Sequence, residues 1–298
     1  YFLLLFSIFP ISLVLGSTVS LLNIVLIDLS FLILIIYVRD FSFLKSEVFK
    51  YLVILYIYLI FNSLISVDKT IGIYRNLGFL RIIILFVAIN YFFKDREFLK
   101  KVFYVWLFIV LIVSFDVILE SISGKNILGY GSLYGRRIVS FFKDEPIAGG
   151  YIYAFYLLLI GFLCEKFNIK NKILILSLFF LLCIFITGER SNSIRALVGI
   201  MTFYAFFRDY KFVHKLILIT GCLTIILSVI LNSSFLKQRY IGQINSLITD
   251  NQIYFDLYKS GFKMFNQKPL FGVGNKNYRV LSCSEENILK DDNDKLYQ

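Results

Sequence analysis

Apolar windows near the length needed to cross about 30 Å of bilayer hydrocarbon recur along the whole chain, separated by short charged loops. Nine can be drawn, at 1–15, 19–38, 51–66, 77–93, 102–119, 147–164, 173–187, 194–207 and 216–232. A bilayer core offers no water to backbone N–H and C=O groups, so only helices or a closed barrel can span it. The uninterrupted apolar run from Val102 to Phe115 lacks the alternation of a barrel strand. Composition agrees: 58% of the 298 residues are hydrophobic and only 17% are charged, with a mean hydropathy of +0.77, where soluble domains carry about a quarter charged residues. The expected fold is all-α, a polytopic membrane helix bundle. Residues 1–232 form the bundle, and 233–298 form an external loop region with an amphipathic helix.

Charge placement sets the orientation. Loops 39–50, 94–101, 165–172 and 208–215 hold 13 Lys and Arg in 36 residues, against 7 in 46 for loops 16–18, 67–76, 120–146 and 188–193. The positive-inside rule puts the first set in the cytoplasm and the second, with the tail from Ser233, outside. The net charge of +11 is therefore topological and implies no nucleic-acid partner. The four cysteines show no CxxC and no histidine spacing, so neither a zinc site nor a disulfide framework is legible. Tyr1 opens inside an apolar run with no charged leader, which reads as a first span cut short.

Ionisable groups inside spans are costly and usually face a partner or a cavity. Asp28 and Asp116 fit a structural ion pair or a functional role equally. Arg81, with Arg75 toward the same outer helix end, favours function.

Three further segments could carry chemistry. Loop 120–146 places Gly124, Gly129, Gly131 and Gly135 ahead of Arg136 and Arg137, then Lys143, Asp144 and Glu145. Guanidiniums at a helix end suit bidentate phosphate recognition, and a boundary carboxylate can orient one or accept a proton. The glycine spacing fits neither a dinucleotide fingerprint nor a P-loop. The second segment, Thr187 to Ser193, lies between two short windows, which recesses Arg190; Ser191 or Asn192 is placed to cap the next helix. In the tail, helical spacing of apolar residues over 251–266 predicts an interfacial amphipathic helix stopped by Pro269. Gly272, Gly274, Asn275 and Asn277 then form a tight turn.

Taken in order, "GRRIVSFFKDEPIAGGYI" (135–152), "TGERSNSI" (187–194) and "GFKMFNQKPLFGVGNKNYR" (261–279) resemble the O-antigen polymerase and O-antigen ligase superfamily. The resemblance implies a glycosyltransferase of the bacterial inner membrane, its active face toward the periplasm. It would act on polyprenyl-diphosphate-linked oligosaccharide, with neither nucleotide nor metal as cofactor. Membrane lipid and a chain-length regulator are the other partners implied. Position by position, it assigns catalytic roles to Arg137, Glu145 and Arg190. Arg136, Arg75, Arg81, Asn192, Gly272 and Gly274 are the candidate substrate-binding residues. Two departures stand out. Ser140 occupies a place where the family often has glycine, and the family's external histidine has no counterpart, since the sole histidine, His214, falls in a cytoplasmic loop. The expectation is a chain continuing past Gln298 to such a histidine. Polymerase and ligase remain open, as does a lipid-linked sugar flippase or transporter, although no internal repeat supports the last.

Overall fold

The computed structural model describes residues 1–131, 137–143, 145–167, 169–207, 210–242 and 252–282, and regular structure among them is helical throughout. The helices are α1 (Phe2–Ser7), α2 (Phe9–Val14), α3 (Ser17–Val38), α4 (Glu47–Leu64), α5 (Lys69–Leu77), α6 (Leu80–Phe92) and α7 (Arg96–Ser123). They continue as α8 (Ala148–Lys166), α9 (Lys170–Ile186), α10 (Arg190–Phe206), α11 (Phe212–Asn232), α12 (Ser234–Lys237), α13 (Gln252–Gln267) and α14 (Tyr278–Ser282). A π-helical turn, Gln238–Gly242, follows α12.

Six segments are long and apolar enough to cross a membrane: α3, α4, α5 with α6, α7, α8 and α11. The chain is a multi-pass membrane protein. Side chains such as Ile33, Ile54, Phe108 and Leu223 are exposed on these helices, as expected of surfaces solvated by lipid tails. The count differs from the nine windows for local reasons. The first window breaks into α1 and α2 at Ile8, with Pro10 at the second position of α2, where its missing N–H costs nothing. Helices α9 and α10 take in flanking polar residues but reach only 17 residues each, about 26 Å at 1.5 Å per residue.

The chain divides into two compact units. The first combines Tyr1–Asn23 with Arg96–Ser246. Here α8 packs on α7, α9 and α10, and α9 also meets α11. Val110, Val117, Ile152, Leu159, Ile160, Leu181, Ile184 and Ile200 fill the core. Polar side chains inside it find partners, as they must where lipid offers none. Trp106 Nε1 donates to the Phe6 carbonyl at 2.7 Å, Tyr151 Oη to the Pro10 carbonyl at 3.2 Å, and the Ser177 and Tyr204 hydroxyls lie 2.8 Å apart.

The second unit combines Ile24–Asp95 with Leu247–Gln298. Phe31 of α3 packs edge-on against Tyr91 and Phe92. Asp68 caps α5, accepting from the Thr70 and Ile71 amides. The segment after α13 is clasped to the α4–α5 hairpin by asparagines. Asn62 Nδ2 donates to the Phe271 carbonyl at 2.6 Å, and Asn275 Nδ2 to Asn76 Oδ1 at 2.7 Å. Asn277 is bound at both ends to the Asp68 backbone, accepting its N–H at 2.6 Å and donating to its carbonyl at 3.1 Å. Gly274 has φ +97°, and a Cβ there would stand 2.2 Å from Ser66 Cβ. Gly274→Val should therefore release the 268–278 segment. Limited proteolysis of the protein in detergent should show faster cleavage there, and a wild-type pattern would contradict the packing described.

Candidate active site

Two carboxylates, one turn apart on α7, shape the loop that follows it. Asp116 accepts from the Ile127 amide at 2.9 Å and the Ser140 hydroxyl at 2.6 Å. Glu120 accepts from the Val139 amide at 3.1 Å and the Ser140 amide at 2.6 Å. Asn126 Nδ2 completes the set by donating to the Ser140 carbonyl at 2.7 Å. Asp116 is thus neither half of an ion pair nor a free reactive group; it fastens a loop. Ser140 is buried with φ +51°, a left-handed conformation that favours glycine. Its three polar groups are all bonded, and these bonds hold the strained backbone in place.

The contrast between two substitutions tests this. Ser140→Gly relieves the backbone and loses one hydroxyl bond, so its stability should lie within about 1 kcal/mol of wild type. Ser140→Val keeps the strain, adds a branched Cβ and strips Asp116 of a buried donor, and should cost about 2 kcal/mol or more. Thermal midpoints of the purified variants measure both, and equal midpoints would contradict the account.

Fixed by that loop, Arg137 lines a cavity of about 740 Å³. Its walls mix Ser121, Ser123, Ser228 and Ser233 with Ile138, Leu182, Ile186, Val229, Phe235 and Leu236. Arg137 Nε is buried and meets no acceptor among the described residues. A buried charged donor left unpaired costs about 1–3 kcal/mol or more, so an acceptor entering here regains what folding leaves unsatisfied. Glu120 also borders the cavity, yet its oxygens are held by the Val139 and Ser140 backbone rather than by Arg137. Glu145 is exposed, and no hydrogen bond or ion pair to its carboxylate is found among the described residues.

The Thr187–Arg190 turn lies in the same unit and joins α9 to α10. Glu189 is buried and accepts from the Gly149 amide at 2.7 Å, the Gly150 amide at 3.1 Å and Asn192 Nδ2 at 2.5 Å. The carboxylate therefore sits on the N-terminus of α8, where orphan amides and the helix dipole favour negative charge. Only glycine admits this approach. A Cβ on Gly149 would stand 2.4 Å from Thr187 Oγ1, and one on Gly150 2.9 Å from Asn192 Nδ2. The expected capping of α10 by Ser191 or Asn192 is not observed: Glu189 is the N-cap residue, no side chain bonds the cap, and the Asn192 amide turns to Glu189 instead.

Arg190 opens α10 half-buried, and its guanidinium has no hydrogen bond or ion pair among the described residues. The Gln238–Gly242 turn packs on the same place. Arg239 Nε donates to the Gly188 carbonyl at 3.2 Å, and Tyr240 Oη to the Phe185 carbonyl at 3.0 Å.

Unit 1 thus holds Arg137, Glu145, Arg190 and Asn192, whereas Arg75, Arg81, Gly272 and Gly274 belong to unit 2. Arg75 and Arg81 are exposed on α5 and α6. Gly272 has φ +67° with open space around it. Asp28 is buried on α3, and neither carboxylate oxygen meets a donor among the described residues. Arg136 lies outside the described residues. His214 is in the first turn of α11, a helix whose far end leads into Ser233 and Leu236 of the cavity wall, so it takes no part in the site. Glu120, Arg239 and Tyr240 lie outside the motifs, and Gly149 with Gly150, a close-approach pair, fall within the 135–152 motif without being singled out there.

Residues 175–294 match a family model described as O-antigen ligase. The match covers about two fifths of the chain, and over that stretch the chain is similar to this family. The matched stretch of this O-antigen ligase family runs from α9 through the Thr187–Arg190 turn, the Gln238–Gly242 turn, α13 and the asparagine clasp. Arg137, Glu145 and the α8 glycines precede it, and their place in the site stands on the geometry above and on the motif resemblance. No curated protein and no solved structure matches the chain.

Proposed function

We propose that this O-antigen ligase-type membrane protein polymerises lipid-linked oligosaccharide repeat units, transferring sugar from polyprenyl diphosphate on the periplasmic face of the inner membrane. The observation that carries this reading is the Arg137 cavity, whose wall mixes apolar side chains with serine hydroxyls, with a buried guanidinium nitrogen that meets no acceptor among the described residues. Such a wall suits a ligand that is lipid at one end and phosphate at the other.

In the reaction, the acceptor hydroxyl loses its proton to Glu145 as its oxygen attacks the anomeric carbon. The bond from that carbon to the diphosphate oxygen breaks, and polyprenyl diphosphate leaves with the electron pair. Arg137 and Arg190 stabilise the charge that grows on the diphosphate, as fixed donors do in a water-poor site. Arg136, Asn192, Arg75, Arg81, Gly272 and Gly274 are the substrate-binding candidates in this reading. A chain-length regulator is the proposed protein partner.

The ligase reading shares the donor and differs in the acceptor. Surface polysaccharide from cells lacking the gene separates the two. Loss of a polymerase leaves single repeat units attached to the lipid core, and complementation restores the ladder. Loss of a ligase leaves the core bare while polymer remains on the carrier lipid. Unchanged polysaccharide would defeat both.

A further inference from the structure

The spacing over 251–266 predicts an interfacial helix, and the structure adds which side of it is open and what charge surrounds that side. On α13, Ser260 and Met264 are buried, and the Tyr278 hydroxyl donates to Ser260 Oγ at 3.2 Å. That side faces the second unit. Leu257, Tyr258, Phe262 and Phe265 are each more than half exposed. At 3.6 residues per turn they cover an arc of about 140°, and the Phe262 and Phe265 rings stack with centroids 6.3 Å apart. Lys259 and Lys263 follow on the next arc, and residues 257–282 as a whole carry five Lys and Arg with no Asp or Glu.

The asparagine clasp fixes the level of this helix. Phe271, four residues past the end of α13, gives its carbonyl to Asn62 and meets the Phe61 ring edge-on at 5.5 Å between centroids. Both partners lie in the last turn of α4, which is long and apolar enough to cross a membrane. The C-terminus of α13 is therefore held where that span ends, at the headgroup boundary. An apolar arc open at this depth meets acyl chains, and lysines beside it meet lipid phosphates. In the orientation read from the charge pattern this is the outer end of α4, where topology alone favours few cations. A second copy of the chain would set like charge against like, and a polyanionic glycan would leave the apolar arc in water.

We propose that α13 and the 268–279 segment form a docking surface for anionic phospholipid, with the apolar arc in the acyl boundary and Lys259, Lys263 and Lys268 on the headgroups. The surface is independent of the glycosyl-transfer reading.

The full chain in lipid nanodiscs tests this. The probes are phosphatidylcholine and phosphatidylglycerol, each brominated near the top of one acyl chain and each added at the same minor fraction. Wild-type protein, whose sole tryptophan is Trp106, sets the background of fluorescence quenching. Phe262→Trp should be quenched above that background by both lipids, and about twofold or more strongly by the phosphatidylglycerol, since each lysine held at an anionic surface favours it about fivefold. Asn266→Trp, on the polar arc, should be quenched less. Adding Lys259→Gln, Lys263→Gln and Lys268→Gln to Phe262→Trp should lower quenching by the phosphatidylglycerol to the phosphatidylcholine level and leave the latter unchanged. Equal quenching of Phe262→Trp by the two lipids overturns the anionic preference. Quenching no greater than the wild-type background overturns the docking surface itself and gives the apolar arc to a protein or polymer partner. Loss of both signals in the lysine variant shows that the lysines hold the helix rather than headgroups, and overturns their role.

Discussion

Arg190→Lys in the full-length protein is expected to lower polymer formation about a hundredfold or more while expression and thermal midpoint stay at wild-type values. The two halves of that expectation come from different facts. The Arg190 guanidinium has no hydrogen bond or ion pair among the described residues, so little of the fold depends on it. In the proposed reaction it meets an oxygen that becomes more negative as the sugar bond breaks, and losing one such fixed donor elsewhere costs about a hundredfold to a thousandfold in rate. Lysine retains the charge but presents a compact ammonium in place of a planar fork. The chain-length ladder of complemented cells, with protein level measured in the same cells, checks both halves. Wild-type chain lengths in Arg190→Lys would sink the role given to this residue. A fall matched by an equal fall in protein would mean that Arg190 is structural.

The membrane architecture was legible because a bilayer imposes one length and one polarity on every spanning helix, and nothing tertiary is needed to see it. The first window misled because hydropathy is blind to Pro10 and to the break at Ile8. In the site, the sequence marks cations well, since Arg137 and Arg190 stand out against apolar surroundings. It marks their supports poorly. Glu120 serves residues 19 and 20 positions away, and Glu189 serves residues 39 and 40 away, separations at which no periodicity or spacing rule applies. Ser140 could be flagged as an odd residue at a glycine-prone place, but its three partners come from Asp116, Glu120 and Asn126. Arg239 was invisible for the same reason: its significance is its bond to Gly188, 51 residues earlier.

Those supports make a second large effect predictable, of the opposite kind to Arg190→Lys. Glu189→Ala removes the acceptor for two α8 amides and the Asn192 amide at once. Each bond to a charged group contributes about 1.5–3 kcal/mol, and a buried donor left without an acceptor carries its full desolvation cost. The loss should be about 3 kcal/mol or more, a large share of the stability of any single domain. Gly149→Ala attacks the same contact from the other side, because its Cβ would fall 2.4 Å from Thr187 Oγ1 and 3.0 Å from Glu189 Oε1. The two variants should therefore resemble each other, with lowered thermal midpoints in fluorescence-detected chromatography and poor recovery from the membrane. Combining them should cost much less than the sum of the two, since each removes what the other would. Glu189→Gln is the finer probe. It preserves shape and one acceptor oxygen but turns an N–H₂ group toward amide donors, so it should fall between wild type and Glu189→Ala. Full stability in Glu189→Ala would show that the junction of α8 with the Thr187–Arg190 turn is held by something other than this carboxylate. Lost activity at full stability would instead move Glu189 from the framework of the site into its chemistry.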